Sequence, residues 1–114
     1  MDTPTFDKPF RLTFDDRESF VAAVSVCARL EVLCAAVDAF RVMALVGLAR
    51  CEITEYGSRV CDRHVPVTVP SISSGLGQLT ALITRLLGES DDLAHVLRLH
   101  EARVFVEDAQ ALAV

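Results

Sequence analysis

The chain has 114 residues, enough for one domain and too few for two ordinary ones. Its 52% apolar and 24% charged residues exclude a disordered or fibrous chain, and a net charge of −5 excludes a surface that is basic throughout, though not a single basic face. Arg29, Glu31, Asp38, Arg41 and Arg50 interrupt the richest apolar stretch before it reaches the roughly 18 residues of a membrane span. Met1–Lys8 lacks the basic and then apolar layout of a secretory signal, so the expected location is the cytoplasm, with no membrane partner.

Residues 1–8 read as a loose tail and 9–114 as a single domain. Phe10–Phe14 alternates apolar and polar residues, as a half-buried strand does. Asp15-Asp16 supplies an N-cap, and from Arg17 to Leu30 the residues Phe20, Val24, Cys27 and Leu30 recur at helical spacing. Glu31–Val37, Phe40–Val46, Arg50–Tyr56 and His64–Val69 read as four strands with turns at Asp38-Ala39 and Gly57-Ser58. The alanines of 31–46 also permit a helix there, but the β-branched residues and Asp38 favour strands. Serines after Pro70 cap a second helix with an apolar stripe of Ile72, Leu76, Leu79, Ile83, Leu86 and Leu87, stopped at Gly88. After the polar loop Glu89–Asp92, Leu93–His100 and Ala102–Glu107 form a hairpin, and a last strand runs through Ala109–Val114. The predicted order is β-α-β-β-β-β-α-β-β-β, an α+β domain with two helices on one curved, mainly antiparallel sheet. Phe20, Val24, Cys27, Leu76, Leu79 and Ile83 are expected between helices and sheet.

Chemistry-bearing motifs are sparse. Cys27, Cys34, Cys51 and Cys61 contain no closely spaced pair and read as small buried apolar residues. Cys61 and His64 have only His95 and His100 for company. Those two lie five apart on an expected strand and therefore on opposite faces, so no metal site is expected. Ser71, Ser73 and Ser74 lack a His/Asp companion, and Gly75-Leu76-Gly77 lacks the third glycine of a dinucleotide loop. No enzyme activity, cofactor or small-molecule substrate is expected.

Phe10–Phe14 followed by Arg17–Ser25 resembles the opening of the bacterial DNA polymerase III β subunit, the sliding clamp, and is closest to its actinobacterial form. Asp38–Ala44 with Cys51–Ile53 is similar to that family's second hairpin. Val67–Pro70, running into Leu76 and Leu79, is similar to its strand before the second helix, and Ala102–Val106 to a late strand. The resemblance covers about 100 residues and rests on packing patterns. It implies a single DNA-clamp-like domain, in a family where six such domains ring duplex DNA and tether replication or repair factors without catalysis. Family chains carry three domains, whereas this one carries one, and the proline-rich linker after the first helix is missing. On that template Arg17, Ser25, Arg29, Gln78, Thr84 and Arg85 would face duplex DNA, weakly and without sequence preference. Cys51, Ile53 and Tyr56, with Ala111, Leu112 and Val114, would form sheet edges that pair with another copy or another clamp-like chain. The alternative is a small acidic protein-interaction domain, of inhibitor or immunity type, with no role on DNA.

Overall fold

The computed structural model describes residues 11–113. Among them the elements run β1 (Thr13–Phe14), α1 (Glu18–Ala36), α2 (Phe40–Ile53), β2 (Arg59–Val60), α3 (Ile72–Glu89) and α4 (Leu93–Leu112). The expected curved sheet is therefore overturned. Its place is taken by a single two-residue parallel pair, Thr13 opposite Arg59 and Phe14 opposite Val60. The expected strands over 31–37, 40–46 and 50–56 fall in the end of α1, in α2 and in the turns after them, and the expected hairpin over 93–107 is one continuous helix. Both proposed sheet edges are helical as well: Cys51 and Ile53 lie in α2, Tyr56 in the turn after it, and Ala111 and Leu112 at the end of α4. The expected tail over 1–8, Phe10 and Val114 fall outside the described residues.

Each helix buries residues three and four apart. Phe20, Ala23, Cys27, Leu30 and Cys34 do so on α1, and Val42, Val46, Ala49 and Ile53 on α2. Leu76, Leu79, Ile83 and Leu86 follow on α3, with His95, Leu99, Ala102, Val106 and Ala109 on α4. Alternating steps of three and four give the narrow stripe that packs helices nearly parallel in a bundle. α1 lies against α2 and α3, and α4 against the same two. The short turn at 37–39 makes α1 and α2 antiparallel, and the loop 90–92 does the same for α3 and α4. Arg17, before α1, donates to Ser90, after α3, while His95 near the start of α4 meets Ile53 at the end of α2. The order is thus up-down-down-up, and residues 61–71 carry the chain back along the bundle between α2 and α3. Of the six expected core residues, Phe20, Cys27, Leu76, Leu79 and Ile83 are buried and Val24 is half-buried, between helices and not against a sheet.

The helix ends follow from local chemistry. Ser71 caps α3 by accepting from Ser74 N–H at 3.1 Å, and Asp92 caps α4 by accepting from Ala94 N–H at 3.1 Å. Gly88 does not stop α3, which runs on to Glu89. Asp15 does not cap α1, because its carboxylate is occupied by two arginines; Arg17 holds the cap position, and its side chain caps none of the N–H groups of α1. α1 and α2 both close by the same device. Asp38 N–H reaches Ala35 O and Ala39 N–H reaches Cys34 O, with Asp38 at φ 58; Glu55 N–H reaches Glu52 O and Tyr56 N–H reaches Cys51 O, with Glu55 at φ 50. Tyr56 and Gly57 continue in the left-handed region at φ 57 and φ 87, which turns the chain sharply into β2. Gly75 is where α3 meets α1 and the crossover segment, since a Cβ there would stand 2.5 Å from Leu30 Cδ2 and 2.6 Å from Val69 Cγ1.

α1 is long and apolar enough, by length and composition, to cross a membrane, with a mean hydropathy of 1.8. Its Phe20, Cys27, Leu30 and Cys34 are instead taken up by the core of the bundle.

Candidate functional site

Two features stand out: an ionic cavity at the strand end of the bundle, and an apolar outer face on α2 and α4. In the first, Asp15 is buried and accepts from Arg17 Nε at 2.9 Å, Arg17 Nη2 at 2.7 Å, the Arg17 N–H at 3.2 Å and Arg59 Nη1 at 3.1 Å. Arg59 donates further to Glu55 Oε1 at 2.9 Å and to Asp92 Oδ2 at 3.3 Å. Burial alone would raise the Asp15 carboxyl, but the bonds from Arg17 and the charges of Arg17 and Arg59 outweigh it and hold it below 3.8. One network therefore joins β1, α1, β2 and the cap of α4.

His95 sits beneath that network, fully buried. Its Nε2 lies 3.0 Å from the Ile53 carbonyl. A carbonyl only accepts, so Nε2 carries the proton, and Nδ1 is left as a bare acceptor with no partner among the described residues. Burial pushes the imidazole below 6.5; the Ile53 carbonyl opposes this and the Arg59 charge adds to it, so the ring is neutral near pH 7. The cavity above it measures about 340 Å³ and is lined by Phe14, Asp16, the loop Glu89–Asp92 and His95, besides Asp15 and the two arginines.

The second feature is visible in exposure. Phe40 and Leu48 on α2 are 57% and 47% exposed, and Leu97 and Val104 on α4 are 60% and 48% exposed. Between the two helices a groove of about 590 Å³ is lined by Glu52, Leu97, Arg98, His100 and Glu101. Arg98 donates to Glu52 Oε2 at 3.3 Å and lies 5.1 Å from the centre of the Tyr56 ring, whose hydroxyl donates to Glu52 Oε1 at 2.8 Å. Those bonds tie the lower end of the face together.

Several of the residues expected to face DNA are engaged within the fold. Arg17 is committed to Asp15 and Ser90. Ser25 donates to Val21 O at 2.8 Å and Thr84 to Thr80 O at 2.9 Å, each within its own helix. Gln78 Nε2 holds the crossover segment through Thr68 O at 3.0 Å. Arg29 is exposed on α1 and Arg85 on α3, with Thr84 and Arg85 about 100° apart around that helix. Of the expected edge residues, Ile53 is buried, Cys51 is half-buried, and Tyr56, Ala111 and Leu112 are exposed.

Sequence reasoning missed Arg59, Glu55, Asp92 and His95 as a group. They converge from β2, the turn after α2, and α4, and no spacing along the chain announces this. Cys27 and Cys34 are buried as expected, and burial pushes the Cys27 thiol up to about 12. His95 and His100 do point apart, but on a helix and not on a strand, His95 inward and His100 outward. Among the described residues no three His, Cys, Asp or Glu side chains are placed to hold a metal. Comparison with known proteins gives no match: no family model, no curated protein and no solved structure.

Proposed function

We propose that the chain is a non-enzymatic, acidic interaction domain that docks a second copy of itself through the outer face of α2 and α4. The observation that carries this reading is the symmetry of that face. The bond between His95 and Ile53 sets the two antiparallel helices level at one end. Nine positions further along each helix, Ala44 and Val104 stand level. Leu48 lies four positions before that level and Phe40 four beyond it, about 6 Å either way; Glu101 lies three before and Arg41 three beyond, about 4.5 Å either way.

A two-fold axis through Ala44 and Val104 lays α2 on the partner's α2 and α4 on the partner's α4, which brings Leu48 onto Phe40 of the partner subunit, Val104 onto its own copy, and Arg41 level with the partner's Glu101 on the neighbouring helix. Such a self-complementary patch is what an isologous dimer requires. Charge supports the pairing, since Arg41 and Glu101 are both exposed and neither has an ion-pair partner among the described residues. Val104 would sit on the axis, with Arg41 and Glu101 beside it and Leu48 and Phe40 just beyond them along the helices. The expectation of a DNA clamp depended on a curved sheet that the described residues do not form.

Light scattering tests the proposal. The parent chain should show twice its 12.4 kDa mass at high micromolar concentration, and Val104→Glu should show 12.4 kDa with an unchanged helical circular dichroism spectrum. A parent of single mass at that concentration, or a Val104→Glu variant that stays double, overturns the reading.

A further inference from the structure

We propose that the ionic cavity at the strand end binds a small organic cation, a free protonated alkylamine, with His95 Nδ1 accepting one of its N–H bonds. Both guanidinium groups are already paired with carboxylates. Arg17 is spent on Asp15 and Ser90, and Arg59 on Asp15, Glu55 and Asp92. The carboxylates are in excess: five line the cavity against two arginines, and Asp16, Glu89 and Asp91 make no ion pair among the described residues. An entering group is therefore asked to bring positive charge and hydrogen-bond donors.

His95 supplies the second, independent requirement. It is fully buried, it lines the cavity, and its bare Nδ1 is an unsatisfied acceptor of the kind native proteins rarely leave unfilled. A donor, and not an acceptor, must fill it. Phe14, 61% exposed on β1 at the same cavity, places an aromatic ring where a cation gains from the π face. Carboxylates, one neutral imidazole acceptor and an aromatic ring together recognise an ammonium group. Among the described residues no three ligating side chains stand close enough to hold a metal ion, and about 340 Å³ suits a molecule of several heavy atoms.

The test is a titration of the ¹⁵N-labelled chain with 1,4-diaminobutane, read at the imidazole nitrogens and the amides of residues 89–92. The expected result is a saturable shift of the His95 Nδ1 resonance together with those amides. Phe14→Ala and Asp91→Asn, both at exposed positions, should each weaken binding at least fivefold. An unmoved Nδ1 resonance at saturating diamine overturns the proposal, as does equal binding by Asp91→Asn or an equal response to Mg²⁺ at matched ionic strength. A parallel titration with Nα-acetyl-lysine methylamide separates the two sources of an ammonium group. Response to the lysine compound alone would place the amine on a protein partner and overturn the free-amine assignment.

Discussion

Replacing Asp15 with Asn tests how far the ionic network holds the strand end to the bundle. The side chain is 4% exposed and accepts from two arginines, so the amide leaves their donors underused and their charges uncompensated. Breaking a buried pair by removing one partner costs about 3–5 kcal/mol. Here the low end applies, because Arg17 is 31% exposed and reaches water, and Arg59 keeps Glu55 and Asp92. A loss of about 3 kcal/mol in a domain of this size lowers the melting temperature by roughly 12 °C. Urea unfolding followed by circular dichroism at pH 7 measures it. The pH dependence gives a second readout. The folded carboxyl titrates below 3.8, so its contribution is present above that pH and is lost as pH falls through the folded value. The gap between parent and variant should therefore close on acidification below about pH 4. Equal midpoints at pH 7, or a gap that is unchanged in acid, would refute the reasoning.

Two further substitutions probe the packing. Leu79→Ala, at a fully buried position facing the other helices, should cost about 2–5 kcal/mol in chemical unfolding, and a parental midpoint would show that this face of α3 is misplaced. Gly75→Ala and Gly77→Ala share the same gain in helix propensity, but only at Gly75 does the added methyl meet Leu30 and Val69. Gly75→Ala should thus be the less stable of the two by about 1–3 kcal/mol, and equal stabilities would mean that α1 and α3 are less closely packed there.

α3 was legible from the sequence because its outer face is polar: Ser74, Gln78, Thr84 and Arg85 stand against an apolar stripe, and Ser71 announces its start. The start of α1 was legible for the same reason. α2 and α4 were not. Phe40, Ala44 and Leu48 on one, and Leu93, Leu97 and Val104 on the other, put apolar side chains outside as well as inside, which erases the 3.6-residue period and leaves local alternation that imitates strands. The residues that hid these helices are those that form the proposed docking face. Asp38 misled for a related reason. A break at a charged residue reads as a hairpin turn, whereas here it takes the left-handed position that glycine usually holds at a helix end. The ionic cavity had no linear trace, since Asp15, Arg59, Asp92 and His95 meet only once the helices have packed.

Exchange of charge across the proposed two-fold tests the account most directly. Arg41→Glu puts a carboxylate level with the partner's Glu101 on either side of the two-fold axis, and Glu101→Arg puts two guanidinium groups level there. By light scattering at a fixed concentration, each single variant should fall toward 12.4 kDa, and the double variant carrying both exchanges should recover the dimeric mass. Two single variants that remain dimeric, or a double variant that stays at 12.4 kDa, would contradict the account.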